Sequence, residues 1–262
     1  MKITIITVAY NSAKTIRDTI ESVLSQTYND FEYIIVDGNS KDNTIDIVKG
    51  YEDRFNNRLR WISEPDKGLY DAMNKGISMA TGDIIGIINS DDFYHRNDIF
   101  EQVVSAFSDK QVDAIYGDVR FVKDSNLDKT VRYYSSKTFS PKKFRFGFMP
   151  AHPSFFTYKR FFDDFGCYKI DYKIAADYEL LLRFIYIHKL RCKYIPLDFM
   201  KMRLGGVSTA SWKSNIILNK EIVRACKENN VWTCLPLLFL KYFIKIFEFV
   251  NPKTDDIIFK SE

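Results

Sequence analysis

With 262 residues, 46% hydrophobic and 27% charged, the chain is long enough for one large α/β core and is not of disordered or fibrous composition. A net charge of +4 is too mild to argue for nucleic acid, and no nucleic-acid partner is expected. Cys167, Cys192, Cys226 and Cys234 form no CxxC pair and have no histidine cluster beside them, which disfavours a disulfide scaffold or a zinc site and fits reduced thiols in a cytosolic protein.

Met1 leads straight into a strand-like run, so no signal peptide is expected. That run, KITIITVAY (2–10), is β-branched and ends in a turn, where Ser12 can cap the next segment. Ile16, Ile20, Val23 and Leu24 then recur on one helical face. FEYIIVDGNS (31–40) predicts a second strand and a glycine turn. DNTIDIVKGYEDRF (42–55) predicts a helix capped by Asp42 or Asn43, and LRWIS (59–63) a third strand. GLYDAMNKGISMA (68–80) carries Leu69, Met73, Ile77 and Ala80 at helical spacing, and DIIGIIN (83–89) is a fourth strand. The alternation predicts a mostly parallel sheet with helices on both faces. Strands one, two and four take central places because their hydrophobicity is continuous. Ligands of such sheets bind beyond the carboxyl ends of the strands. Three polar tips converge there: Tyr10-Asn11, Asp37 to Ser40, and Ser90-Asp91-Asp92.

After residue 100 the pattern changes to a smaller antiparallel part. DAIYGDVRFV (113–122) and KTVRYY (129–134) read as antiparallel strands, and FRFGFMPAHPSFF (144–156) as a loop into a strand. DYELLLRFIYI (177–187) reads as a helix, DFMKMRLGGVST (198–209) as a strand and a Gly-Gly loop, and SWKSNIILNKEIVRACKEN (211–229) as another helix. The last apolar stretch, WTCLPLLFLKYFIKIFEFV (232–250), puts Lys241, Lys245 and Glu248 on one narrow face. No run of about 18 uncharged apolar residues marks a transmembrane span. The stretch has the shape of a membrane-surface helix; a helix packed on the domain or on a second copy explains the same pattern.

Asp91 and Asp92 close an apolar strand side by side. Three readings stand: a turn or helix cap, general acid–base work, or a hard cation, Mn²⁺ or Mg²⁺, held by few protein oxygens plus substrate phosphates. Only the third explains why the repulsion is tolerated. Asp37 can equally start the Gly38 turn, and Asp177 can simply favour a helix N-terminus. GxGxxG and GxxxxGK[ST] are both missing, which lowers dehydrogenase and NTPase readings.

In order and spacing the segments ITIITVAYNSAKTIRDTIESVLSQTYNDFEYIIVDGNSKDNT, SEPDKGLYDAMNKGISMATGDIIGIINSDD, HPSFF and AADYELLLR resemble the family 2 glycosyltransferases. The likeness runs over residues 2–92 and thins towards 209. It implies the GT-A fold, a Rossmann-like mostly parallel sheet. The domain would span 1–210, with 1–100 as the nucleotide-sugar half and 101–210 as the acceptor half. Residues 211–262 would be a C-terminal helical extension. By the same resemblance Thr7, Ala9 and Tyr10 form the first nucleotide-contacting tip, and Asp37 recognises the base. Asp66 and Lys67 line the donor loop. Asp91 lies near the ribose, and Asp92 holds the metal bridging the diphosphate. Arg203, in RLGGVST, would close over the diphosphate, and Asp177 matches the catalytic base. Many relatives carry Glu-Asp there; Ala176 replaces the Glu, and Glu179 is the candidate to compensate. His152 would line the acceptor cleft.

The implied reaction is a metal-dependent, inverting transfer from a nucleoside-diphosphate sugar, with a UDP-sugar favoured. The acceptor would be a glycan or a lipid-linked sugar, in polysaccharide or lipopolysaccharide assembly at the cytoplasmic face of the membrane. A sugar nucleotidyltransferase and a non-catalytic sugar-binding module are the rivals. The first lacks its glycine-rich triphosphate loop in VAYNSAKTI; the second is kept open by the missing Glu.

Overall fold

β1 (Ile3–Ala9) and β2 (Phe31–Asp37) pair in parallel, with Ala9 level with Asp37, and every residue of both is buried. β4 (Ile84–Asn89) runs parallel on the other side of β1, and β3 (Leu59–Ser63) parallel outside β2. Successive side chains of a strand point to opposite faces, so unbroken hydrophobicity requires a layer on each. Ile6, Val8, Ile34, Val36, Ile85 and Ile87 meet α3 (Leu69–Met79) on one face. Ile3, Ile5, Tyr33, Ile35, Ile84 and Ile88 meet α1 (Ile16–Leu24), α2 (Thr44–Lys49) and α4 (Ile99–Phe107) on the other. The computed structural model describes residues 1–205 and 212–239, without the side chains of 212 and 213.

Among these residues the sheet has nine strands, in the order β3-β2-β1-β4-β8-β6-β9-β5, with β7 on β6. β8 (Phe156–Tyr158) runs antiparallel between β4 and β6 (Ala114–Lys123). β7 (Asn126–Tyr134) is antiparallel to β6, as the sequence predicts. β9 (Cys192–Arg203) is parallel to β6, and β5 (Phe93–Tyr94) antiparallel to β9. At Gly86 the Phe156 ring crosses so closely that an added Cβ would stand 2.2 Å from it.

Several expectations are corrected. β9 begins at Cys192 rather than 198, because Pro196 sits where the β6–β9 register shifts, and a bulge is where a sheet admits proline. α4 and α5 (Lys159–Phe165) were not expected. The helix after residue 175 is α6 (Ala176–Leu181), which widens into a π-helical turn over Leu182–Ile187. Ser12 caps nothing through its side chain; its hydroxyl pairs with that of Ser90 instead. α7 (Trp212–Glu228) is no appendage: Ile222, Ala225 and Cys226 are buried in the same core as α3 and α6, as are Val231 and Leu238 beyond it. Residues 235–239 are helical, with Leu235 and Phe239 exposed. No described helix is long and apolar enough to cross a membrane. The rest of the 232–250 stretch, and Gly206 to Thr209 of the Gly-Gly loop, lie outside the described residues.

Candidate active site

The carboxyl ends of β1, β2 and β4 lie side by side, and hydrogen bonds tie the loops that follow them. The Asn11 N–H donates to Ser40 Oγ at 2.7 Å, and the Lys41 N–H to Asn11 Oδ1 at 2.8 Å. The hydroxyls of Ser12 and Ser90 meet at 2.8 Å. Asn11 holds φ 49°, a left-handed conformation that asparagine tolerates. Ala9 is buried, while the Tyr10 ring is 65% exposed at the tip. Thr7 is not at the tip: its buried hydroxyl accepts from Tyr33, so its side chain is unavailable to a ligand.

Asp37 is buried and accepts from the Ser40 N–H, the Ser40 hydroxyl and the Ser63 hydroxyl. Beside it, a Cβ on Gly38 would meet Asp66 Oδ2 at 2.5 Å and the Tyr10 ring at 3.4 Å. Tyr10, Gly38 and Asp66 therefore form one junction that a side chain at position 38 would pry apart. Asp66 accepts from the Gly68 N–H, and the Lys67 N–H donates to Asp71, so this loop leads tightly into α3. Lys67 is exposed.

Asp92 is 2% exposed, and its carboxylate is poorly served. One side-chain contact reaches it, from Asn89 Nδ2 at 3.4 Å, beside a backbone hydrogen bond from Arg203. Burial, and then the charge of Asp91, push its pKa well up. Burial raises Asp91 as well. Arg203 answers only in part. It donates to the Asp91 carbonyl at 2.6 Å, while its other nitrogens are engaged by Asp18 and Asp124. Asn89 Oδ1 is buried with no hydrogen-bond partner. An under-coordinated carboxylate, a second acid and an orphaned amide oxygen make an all-oxygen donor set that fits Mn²⁺ or Mg²⁺, which take one or two carboxylates and leave the remaining positions to water and phosphate. No cluster of three or more His, Cys, Asp or Glu stands ready for a metal among the described residues, and a cation shared with a diphosphate needs none.

The second group of acids lies across β4. The turn His152–Ser154 packs against both β4 and α6, bringing His152 Nδ1 to 3.3 Å from Asp177 Oδ2. Asp177 Oδ1 accepts the Tyr178 N–H at 2.7 Å. Burial raises the Asp177 pKa, with His152 opposing, and burial lowers that of His152. Both shifts disfavour the charged forms, which weakens this contact as an ion pair. The Asp177 side chain keeps 15% of its surface open. Tyr70, stacked on Tyr168 at 5.7 Å, donates to the Ile174 carbonyl just ahead of α6.

Glu179 is a correction. It is fully buried, ion-paired with Arg183 and Lys169, and also accepts from Asn229. It braces α6 against its surroundings. Ala176 is buried in the apolar core, so nothing here replaces the acid that many relatives carry. Asn89, Tyr70 and Glu221, whose carboxylate accepts from the N–H groups of 173–175, were missed as site residues. Asn89 was legible, since it ends an otherwise apolar strand; the other two are set by tertiary contacts.

A family described as Glycosyl transferase family 2 matches residues 4–165. A Mycobacterium tuberculosis protein named as an uncharacterized glycosyltransferase is 35% identical over 187 residues, 69% of this chain and 68% of that protein. A PGL/p-HBAD biosynthesis glycosyltransferase of Mycobacterium bovis is 27% identical over 216 residues, 82% of this chain and 79% of the relative. Among solved structures, S. aureus TarS 1-349 in complex with UDP-GlcNAc superposes with TM-score 0.65 at 18% identity, over 86% of this chain and 66% of that one. A longer TarS chain is covered to 40%. The mannosyltransferase PcManGT from Pyrobaculum calidifontis, in complex with GDP-Man and Mn2+, gives TM-score 0.65 at 18% identity, over 92% of this chain and 69% of that one.

Proposed function

The chain belongs to glycosyl transferase family 2 and has its GT-A fold, and from that premise we propose that it transfers a sugar from a nucleoside-diphosphate sugar to a hydroxyl of a glycan or lipid-linked acceptor, with inversion at the anomeric carbon. The single observation that carries this is two carboxylates with few donors and raised pKa values, the buried Asp92 at the end of β4 and the part-buried Asp177 at the start of α6, with the His152–Ser154 turn packed on both elements. The nucleotide sugars in the related crystals support a donor of this class, UDP-linked by preference.

The exposed Tyr10 ring offers the base a stacking face, and Asp37 accepts from the base N–H while Ser40 and Ser63 hold its carboxylate. Asp66 and Lys67 line the donor, and Asp91 lies at the ribose. Asp92, with the unpartnered Oδ1 of Asn89 on the same strand end, would hold the divalent cation. When bound, Mn²⁺ or Mg²⁺ would supply positive charge to stabilise the departing diphosphate. Arg203 fixes the Asp91 backbone and lies close to the diphosphate. Asp177 removes the acceptor proton. Burial raises its proton affinity, which suits a base working near neutral pH, and His152 orients its Oδ2. One base and no enzyme nucleophile give one displacement, hence inversion.

Exposed Trp232, Leu235 and Phe239, with Arg145 over the Trp232 ring at 5.1 Å, support contact of the 232–250 stretch with the cytoplasmic membrane surface, where a lipid-linked acceptor of polysaccharide assembly would be met. A thermal-shift screen of nucleotide sugars with Mn²⁺, Mg²⁺ or chelator tests the core of the reading. A UDP-sugar should raise the melting temperature only with the cation. Stabilisation that survives chelation removes the metal assignment, and no response to any nucleotide sugar removes the donor class.

A further inference from the structure

Glu221 sits on α7, outside the 1–210 span that the sequence assigns to the catalytic domain. Its Oε1 accepts the Lys173 N–H at 2.7 Å, and its Oε2 accepts the N–H groups of Ile174 and Ala175, both at 2.9 Å. Lys173 and Ile174 precede α6 and Ala175 is its N-cap, so one side chain gathers the N–H groups of the three residues that lead into the helix. Asp177 follows in the first turn of α6. Tyr70 grips the same turn from α3 through the Ile174 carbonyl. α7 cannot drift easily, since Ile222, Ala225 and Cys226 are buried and Cys226 Sγ lies 3.4 Å from the hydroxyl of Tyr178, the neighbour of Asp177.

We propose that Glu221 is a positioning residue for the proton-accepting carboxylate: by clamping 173–175 it sets where Asp177 presents its free lone pairs. The inference rests on Asp177 being the base. It ties one residue of α7, Glu221, to the placement of Asp177 and gives that helix a role beyond core packing. Glu221 has a second effect that distinguishes positioning from bulk stability. The groups facing Asp177 are His152 from its turn, Tyr70 from α3, Tyr168 from the loop after α5, and Glu221 from α7. Glu221 contributes negative charge, which opposes ionisation of Asp177. Removing that charge makes the carboxylate easier to ionise, so the acidic limb of activity moves to lower pH.

The test uses the full chain with UDP-GlcNAc and Mn²⁺, reading UDP release with water as acceptor. Glu221→Ala should lower kcat about tenfold or more while donor KM stays within about twofold, since misplacing a reacting group leaves uniform binding intact. Glu221→Gln keeps one acceptor oxygen without the charge. It should lose less activity and show its acidic limb at lower pH than the wild type. Lys220→Ala, an exposed neighbour on α7, should match the wild type. Wild-type kcat and pH profile in both Glu221 variants overturn the proposal. So does a parallel change in kcat, KM and melting temperature with the acidic limb unmoved, which is what a merely structural residue gives. Asp177→Asn separates the two claims: if it retains turnover, the base assignment falls and takes this inference with it. If it is inactive while both Glu221 variants turn over normally, Glu221 alone is removed.

Discussion

Asp177→Asn should make the protein both far less active and more stable, and the structure gives the reason. Asn keeps the oxygen that accepts the Tyr178 N–H, and its amide can donate to His152 Nδ1 across the present 3.3 Å contact with the imidazole proton carried on Nε2. Hydrogen bonding is therefore conserved, while the ability to take a proton is lost. A positioned general base contributes about 10²–10⁴-fold, so turnover should fall by that range. The sign of the stability change follows from the raised pKa of Asp177. The folded state favours the protonated carboxyl, so the wild type loses stability as pH rises from the ordinary carboxylate value, about 3.9, through the raised folded value, and does not regain it above. Each unit of displacement corresponds to about 1.4 kcal/mol, and 1 kcal/mol to about 2–4 °C in domains of 150–250 residues. Asn carries no such penalty. Melting curves at pH 7 should place the variant a few degrees above the wild type, and the gap should close below about pH 4. UDP release at pH 7 gives the activity. A variant that turns over like the wild type, or that melts lower at pH 7, refutes the reasoning about this carboxyl.

Three further outcomes are expected. Asp92→Asn should weaken UDP binding in the presence of Mn²⁺ by about 10-fold or more, and titration calorimetry with and without chelator reads it; equal affinities would return Asp92 to a turn-capping role. Gly86→Ala places a methyl 2.2 Å from the Phe156 ring and should destabilise by about 1–3 kcal/mol, seen in denaturant titration; no change would mean the ring swings aside freely. Trp232→Ala combined with Phe239→Ala, both at exposed positions, should release the chain from anionic liposomes in co-sedimentation, and undiminished binding would locate any membrane contact elsewhere.

The parallel half of the fold was legible because its strands are buried on both faces, a state written into unbroken runs such as Ile84 to Ile88. Their shared orientation made the convergence of Asp37 and Asp91-Asp92 readable before any coordinates. The antiparallel half was less so. Pro196 reads as a strand breaker, and only the bulge opposite Gly117 shows how β9 admits it. α4 carries Ile99, Phe100, Val103 and Phe107 at helical spacing and was legible but passed over. The side chains of Thr7 and Glu179 are engaged elsewhere in the fold for a common reason. Motif position names a residue, but whether its side chain faces a ligand depends on neighbours distant in sequence, Tyr33 for one and Lys169 and Asn229 for the other. Glu221 had no local signal at all, since its three N–H partners arrive only when α7 packs on α6.

The buried acids of this chain sort by how well they are served. Burial alone would raise Glu32, yet bonds from Thr4 and Thr81 outweigh it and leave its pKa lowered. Glu179 behaves alike, with burial outweighed by Arg183 and then by Lys169 and Asn229. Both are structural, holding β1 to the loop before β4 and α6 to its neighbours. Asp92 is buried and Asp177 part-buried, both with few donors, and their pKa values rise. A fold under selection for stability alone would neutralise or satisfy such groups, because an unserved buried charge is destabilising by several kcal/mol, on the order of what most single substitutions cost at worst. That these two acids remain, one met by a single long contact from the Asn89 amide nitrogen and the other by the His152 imidazole, is intelligible if a cation completes the first and an acceptor hydroxyl the second. The same comparison explains why Glu179 cannot stand in for the acid absent at Ala176: a carboxylate already holding Arg183 and Lys169 has little left to offer a substrate.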